Sequence, residues 1–196
     1  MGSADREDCV LIFAPIGRDA PASAELLHYV GVEALICPDL GALVSEISAG
    51  VGVVFLAEEG LFAKDTEPLA QWIDRQPAWS DLPFIVLTSH QEQPAVVAWR
   101  RGLVRTLRNV SLLERPVQPI TLASAVQSAL RARRRQYEVR ALIRTREETA
   151  QELKGWSFSE HMRSRKPMSS SASRWRSAHV SRKRSARPRK WRPSVS

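Results

Sequence analysis

The feature that most restricts the fold is a rhythm of five short apolar runs, each bounded by turn residues. Segments whose apolar residues recur every three or four positions separate them. The runs are CVLIFA (9–14), EALIC (33–37), VGVVFLA (51–57), PFIVLT (83–88) and VSLLE (110–114). Runs this short suit strands and leave no room for a helix. VGVVFLA and PFIVLT are apolar on both alternating faces, as a strand covered by helices on both sides must be, so they are expected at the centre of a parallel sheet.

The intervening segments carry helix signals. Asp19 is placed to cap a first helix, with Pro21 in its opening turn and Leu26, Leu27 and Val30 forming a stripe that stops at Gly31. Asp39 likewise precedes Leu40, Leu43, Val44 and Ile47, with Gly50 as the stop. Asp65 or Thr66 opens a segment bearing Leu69, Trp72 and Ile73, closed by Pro77. Gln93 to Leu107 suits a helix entered at Pro94 and interrupted at Gly102. From Pro119, the residues Leu122, Ala125, Val126, Ala129 and Leu130 start a pattern that meets no Gly or Pro until Gly155, which predicts one helix over about 119–154. Strands alternating with such helices imply right-handed crossovers and an α/β sheet with helices on both faces. Five strands in about 125 residues is a flavodoxin-like size, and the order 2-1-3-4-5 places a crevice beyond the carboxyl ends of strands 1 and 3.

Charge divides the chain of 196 residues. Residues 1–155 hold 17 Lys+Arg and 20 Asp+Glu, whereas residues 156–196 hold 12 Lys+Arg and the single acid Glu160. The net +8 therefore belongs to the tail, and no basic fold follows from it. Cys9 and Cys37 lie inside apolar runs and read as small buried hydrophobes, which excludes a disulfide framework. The acidic first residues MGSADREDC lack a secretory h-region, and Arg6 stands where a myristoylation signal wants Ser or Thr. No stretch approaches the length of a membrane span, so the chain reads as cytoplasmic.

Between about residues 8 and 131 the order and spacing of these elements resemble a response-regulator receiver (CheY-like) domain of two-component signalling. The strongest local matches are PFIVLTSH, with Thr88 where receivers carry Thr or Ser, and VSLLERPVQPITL, with Arg115-Pro116 in place of the family's Lys-Pro. The resemblance implies a cis peptide between Arg115 and Pro116. It also implies two acids after strand 1 to hold Mg²⁺ and an Asp at the end of strand 3 to accept a phosphoryl group. Here strand 1 ends Phe13-Ala14-Pro15 and strand 3 ends Leu56-Ala57, and these side chains supply neither charge nor lone pairs. The expected pocket (Ala14, Pro15, Ala57, Glu58, Thr88, Arg115, Pro116) is therefore a degenerate one, with no catalytic residue, metal or cofactor. Glu58 and Glu59 lie just past the acceptor position and are expected to face solvent, although a one-residue shift would bring Glu58 into the crevice. Arg115 is expected to fill the place of the family's lysine, the other reading being an anion clamp or a partner for Glu58. Thr88 is expected to be a packed hydroxyl. Gly17-Arg18 lacks a phosphate-loop pattern, and there is no HExxH, Cys/His cluster or nucleophile elbow.

The last helix overshoots a receiver-sized domain. Residues 132–154 read as a linker or signalling helix, on which Val139, Leu142, Arg146, Thr149 and Leu153 make a weak heptad seam suited to a homodimer. It is similar to the output helix that joins an N-terminal receiver-like domain to a histidine kinase, as in bacterial hybrid sensor kinases. The partner implied is a histidine kinase or another signalling protein. Residues 155–196 contain 12 Ser and no Leu or Ile and are expected to be disordered. Three readings of this tail stand side by side. Arg174, Trp175, Arg176, Arg182, Lys183, Arg184, Lys190 and Trp191 suit nucleic-acid binding by phosphate neutralisation and base stacking. The same charge suits an anionic membrane surface. The Arg/Ser/Pro/Trp bias also fits an out-of-frame extension of a truncated kinase gene.

Overall fold

The computed structural model describes residues 6–62, 64–91 and 93–164, with side chains to residue 151. Five strands, β1 (Val10–Phe13), β2 (Ala34–Ile36), β3 (Val53–Ala57), β4 (Phe84–Thr88) and β5 (Val110–Glu114), form one parallel sheet in the order β2-β1-β3-β4-β5. Among the described residues, six helices connect and cover them: α1 (Asp19–Tyr29), α2 (Leu40–Ser48), α3 (Glu58–Leu61), α4 (Glu67–Asp74), α5 (Pro94–Leu107) and α6 (Pro119–Ser164). The strand order and fold class are those the apolar rhythm predicts.

Period-two alternation in the three central strands divides the interior into two cores. Leu11, Phe13, Val54, Leu56, Phe84 and Val86 point to one face, where α2, α4 and α5 cover them with Leu43, Ile47, Leu69, Ile73, Leu103 and Leu107. Val10, Ile12, Val53, Phe55, Ile85 and Leu87 point to the other, covered by α1 and α6 through Leu27, Leu122, Val126 and Leu130. β3 and β4 are buried along their whole length, whereas the edge strands β2 and β5 are largely exposed. Each fully buried Leu, Ile or Phe contributes about 1.5–3 kcal/mol of transfer free energy, so removing either helical layer would cost more than the fold's net stability.

Local signals set most boundaries. Asp39 caps α2, its carboxylate accepting from the Ala42 amide at 2.7 Å. Asp65 accepts from the Glu67 amide at 3.0 Å in front of α4. Asp19 does not cap α1 as expected. It is the first residue of the helix, Arg18 precedes it without a side-chain cap, and its carboxylate is taken by an arginine of the crevice. The turn α3 was not expected either. The last helix departs from the expectation at its far end, continuing through Gly155 to Ser164, so a single glycine does not stop it and the tail is helical over its first ten residues. The remaining tail, with Arg174, Trp175, Arg176, Arg182, Lys183, Arg184, Lys190 and Trp191, lies outside the described residues. The chain divides into two units, residues 1–145 and 146–196.

Beyond residue 131, α6 is pinned to the amino-terminal end of the sheet. Arg133, only 3% exposed, donates to Val51 O at 3.3 Å, Ser80 Oγ at 2.8 Å and Gln136 Oε1 at 2.6 Å, and stacks on the Tyr137 ring. The Tyr137 hydroxyl donates to Val51 O at 3.0 Å, and Gln136 exchanges two hydrogen bonds with the Asp81 backbone at 2.8 and 2.9 Å. Cys9 and Cys37 are buried free thiols, and burial pushes Cys37 up to about 11.

Gly52 sits where α6 crosses the start of β3. A Cβ there would lie 2.5 Å from Leu130 Cδ2 and 2.6 Å from Glu7 O. Gly52→Ala should therefore lower stability by about 1–3 kcal/mol in denaturant titration, because the backbone oxygen cannot rotate away as a side chain would.

Candidate functional site

The crevice forms where the carboxyl ends of β1, β3 and β4 meet their loops. Ala57 closes β3 and the chain turns at once into α3. Position 58 keeps the parity of Val54 and Leu56, the face that α5 covers. On α5 the buried residues Val96, Leu103 and Leu107 define a stripe on which Arg100 falls, four residues after Val96 and three before Leu103. Carboxylate and guanidinium therefore meet over the strand end.

They form a pair of a buried carboxylate and a half-buried guanidinium, with both Glu58 oxygens engaged. Oε1 accepts from the Ser89 amide at 2.6 Å, from Ser89 Oγ at 2.5 Å and from Arg100 Nη2 at 2.7 Å, and Oε2 accepts from Arg100 Nε at 2.7 Å. Arg100 also donates to Ser89 O at 2.6 Å and Gln91 O at 3.0 Å, which ties the loop after β4 to the pair. Burial pushes the Glu58 carboxyl up, but hydrogen bonds from Arg100 and Ser89 and the Arg100 charge outweigh it and hold the group below the usual carboxylate range. The expectation that Glu58 faces solvent is thus corrected. It is 5% exposed, because Arg100 and the Ser89 amide offset the cost of desolvating it.

A second ion cluster occupies the neighbouring mouth. Arg115 donates to Glu59 at 2.6 and 3.1 Å and to Asp19 at 2.6 Å. The hydrogen bonds that the Arg115 guanidinium donates to Glu59 and Asp19 raise its pKa further, against the opposing effect of burial. Glu59 does not simply face solvent, and the partner considered for Arg115, Glu58, belongs to Arg100. Two acids therefore do converge beside β1 and β3, a region read from sequence as empty of carboxylates, but they converge on a guanidinium. Among the described residues no group of three or more His, Cys, Asp or Glu is arranged to hold a metal ion.

The rest of the expected pocket is apolar or packed. Ala14 and Ala57 are buried, and the peptide between Arg115 and Pro116 is cis. The Thr88 hydroxyl donates to Leu113 O at 3.4 Å. Pro15 lies against Gly60, where a Cβ would come within 2.8 Å of the proline ring and 2.9 Å of Phe13. At the outer edge, His90 Nδ1 pairs with the Glu114 carboxylate, both side chains exposed.

Sequence reasoning missed Asp19, Ser89 and Arg100 as members of the site. The signal for Arg100 was present, since a cation on the apolar stripe of an amphipathic helix demands a buried partner. No comparable signal marks Ser89 or the turn of Asp19 toward Arg115.

No protein-family model and no curated protein matches the sequence. Solved structures do match in shape. A response regulator receiver domain protein from Clostridium thermocellum aligns with a TM-score of 0.50 and 16% identity over 64% of this chain and 96% of its own. NtrX from Brucella abortus gives 0.53 and 17% over 68% of this chain and 29% of its own. Full-length FixJ from B. japonicum gives 0.51 and 19%, covering 65% and 60%.

Glu58→Gln should cost about 1–3 kcal/mol, since it leaves the half-buried Arg100 guanidinium without its counter-ion. Because the folded pKa of Glu58 lies below its unfolded value, the pair's contribution is complete above the ordinary glutamate pKa of about 4.3 and is lost as the pH falls from there through the folded value. Urea titrations at successive pH values should show that acid limb in the parent and a shallower one in Glu58→Gln. At the identities of these matches the likeness is one of fold, and the chain has the fold of response regulator receiver domains.

Proposed function

We propose that the chain is a regulatory, protein-binding module of two-component phosphorelay signalling that works in the receiver shape without aspartyl phosphorylation. The observation that carries this reading is the full engagement of Glu58 by Arg100 and Ser89. A carboxylate that accepts four hydrogen bonds, two of them from a guanidinium, has its charge neutralised and its oxygens held in place, which makes it a poor nucleophile toward phosphorus. Ala14, Pro15 and Ala57 supply no oxygen ligands where the resemblance calls for acids, and Arg115 supplies positive charge between Asp19 and Glu59 by a covalent tether. The module is not an enzyme, and its output is a contact.

The contact partner is a histidine kinase or a related signalling protein, with this chain as the N-terminal piece of a sensor kinase. Support for the kinase context is the length of α6, together with Val139, Leu142 and Ile143, which are 48%, 56% and 39% exposed on it. Paired with a second copy, that stripe would form a short homodimeric seam.

Acetyl phosphate or beryllofluoride with Mg²⁺ should leave the protein unlabelled and its amide spectrum unchanged. A phosphorylated species by intact mass, or shifts around Glu58, would overturn the reading. On a sizing column with light scattering, Leu142→Glu should shift the full chain toward monomer if the seam pairs, and no shift would remove the homodimer.

The basic composition of residues 156–196 favours a second reading, a nucleic-acid-binding protein with the folded part as scaffold. It requires DNA affinity that falls steeply with salt and disappears on deleting those residues.

A further inference from the structure

At the amino-terminal pole of the sheet, away from the crevice, a cavity of about 260 Å³ lies between the loop after α2, the loop after α4 and α6. Arg133, Tyr137 and Arg140 supply the α6 side, and spacings of four and three residues set them on one helix face. Trp72 and Trp79 supply apolar wall. The Trp79 ring meets both cations, its centroid 5.0 Å from the Arg140 guanidinium carbon and 5.7 Å from that of Arg133.

Arg133 is the charge that the fold buries without balancing. It is only 3% exposed, and its hydrogen bonds go to Val51 O, Ser80 Oγ, Gln136 Oε1 and Tyr137 Oη, all of them neutral acceptors. What it lacks is a countercharge, since no ion pair among the described residues includes it. Neutral dipoles and the face of the Tyr137 ring offset part of the cost of burying a cation, and an anion in the cavity would offset more. The surrounding groups do not supply one. Arg140 adds a second cation, and Glu7, the one acid lining the cavity, approaches it only to 4.0 Å. Asp8 and Glu46 are engaged by Arg134 and Arg6 outside the cavity. Gln76 adds a donor, because its Oε1 already accepts from Ser80 Oγ at 2.9 Å and from the Leu82 amide at 3.0 Å, which leaves Nε2 to face a ligand.

We infer that this cavity binds a small organic carboxylate. Its oxygens accept from Arg133, Arg140 and Gln76 Nε2, and its hydrocarbon part lies against Trp72. The volume is a little below the ordinary small-molecule range of about 300–1,000 Å³, which limits the ligand to roughly a single ring. The site is independent of the phosphorylation reading above, since none of Glu58, Ser89, Arg100 and Arg115 lines it.

The test is an amide NMR titration of the ¹⁵N-labelled full chain, at neutral pH and constant ionic strength, with sodium benzoate against its neutral isostere benzamide. Benzoate should give saturable shifts concentrated on residues 47–51, 76–80 and 133–140, and benzamide should bind at least about tenfold more weakly, as expected for loss of charge-assisted hydrogen bonds. Arg140→Gln should weaken benzoate by about threefold or more, and Glu7→Gln, which removes the opposing acid, should tighten it by a similar factor. Ala49→Phe, at an exposed position of the cavity wall, should abolish the benzoate shifts. Equal binding of benzoate and benzamide, shifts that never saturate or that centre on the crevice, or unchanged benzoate binding in Ala49→Phe would each overturn the site.

Discussion

Everything in this domain depends on a sheet that must be dry on both sides. β3 and β4 carry no polar residue before Thr88, so each strand needs a helical layer above and below, and the chain supplies two helices on one face and three on the other. A parallel sheet cannot leave either face to water, since right-handed crossovers cover both as they connect the strands. The charged and polar side chains of the crevice therefore come from the carboxyl-end loops and the helices beside them.

At that rim the carboxylates are met by charge tethered to the chain. A metal-dependent crevice keeps its carboxylates apart until a cation arrives. Here two guanidinium groups, Arg100 and Arg115, reach in from α5 and from the end of β5 and neutralise Glu58, Glu59 and Asp19 in part. The two clusters differ in character. The Glu58 pair is desolvated and would be costly to break, whereas the Arg115 cluster is about one-third exposed and contributes far less to stability. The first fixes the loop after β4, and the second ties α1 and α3 to the residue that follows β5.

How much of this was legible in sequence follows from the range of the interactions. Strand and helix positions depend on periodicity within ten or so residues, and those readings matched the sheet, its order and most helices. Two local readings failed for reasons of context. Asp19 had the residue type and position of a cap, but Arg115, 96 residues later, competes for its carboxylate. Gly155 had the mark of a stop, but one glycine costs a helix only about 1 kcal/mol, which the flanking residues Glu152, Leu153 and Lys154 can absorb. The site was less visible because its pairs join distant elements. Glu58 and Arg100 could still have been matched, since strand parity aims one at α5 and helix spacing puts the other on the buried stripe. That Ser89 would complete the pair depends on a loop conformation with no sequence signature.

The anchoring of α6 through Arg133, Gln136 and Tyr137 has a mechanical meaning. These side chains grip the backbone at Val51, the Ser80 hydroxyl and Asp81, so this stretch of the helix is clamped to the segments that feed β3 and β4. Neither strand can shift along its own axis without breaking these hydrogen bonds or carrying the helix with it. The helix and the two feeding segments thus form a single mechanical piece at the pole of the sheet opposite the crevice.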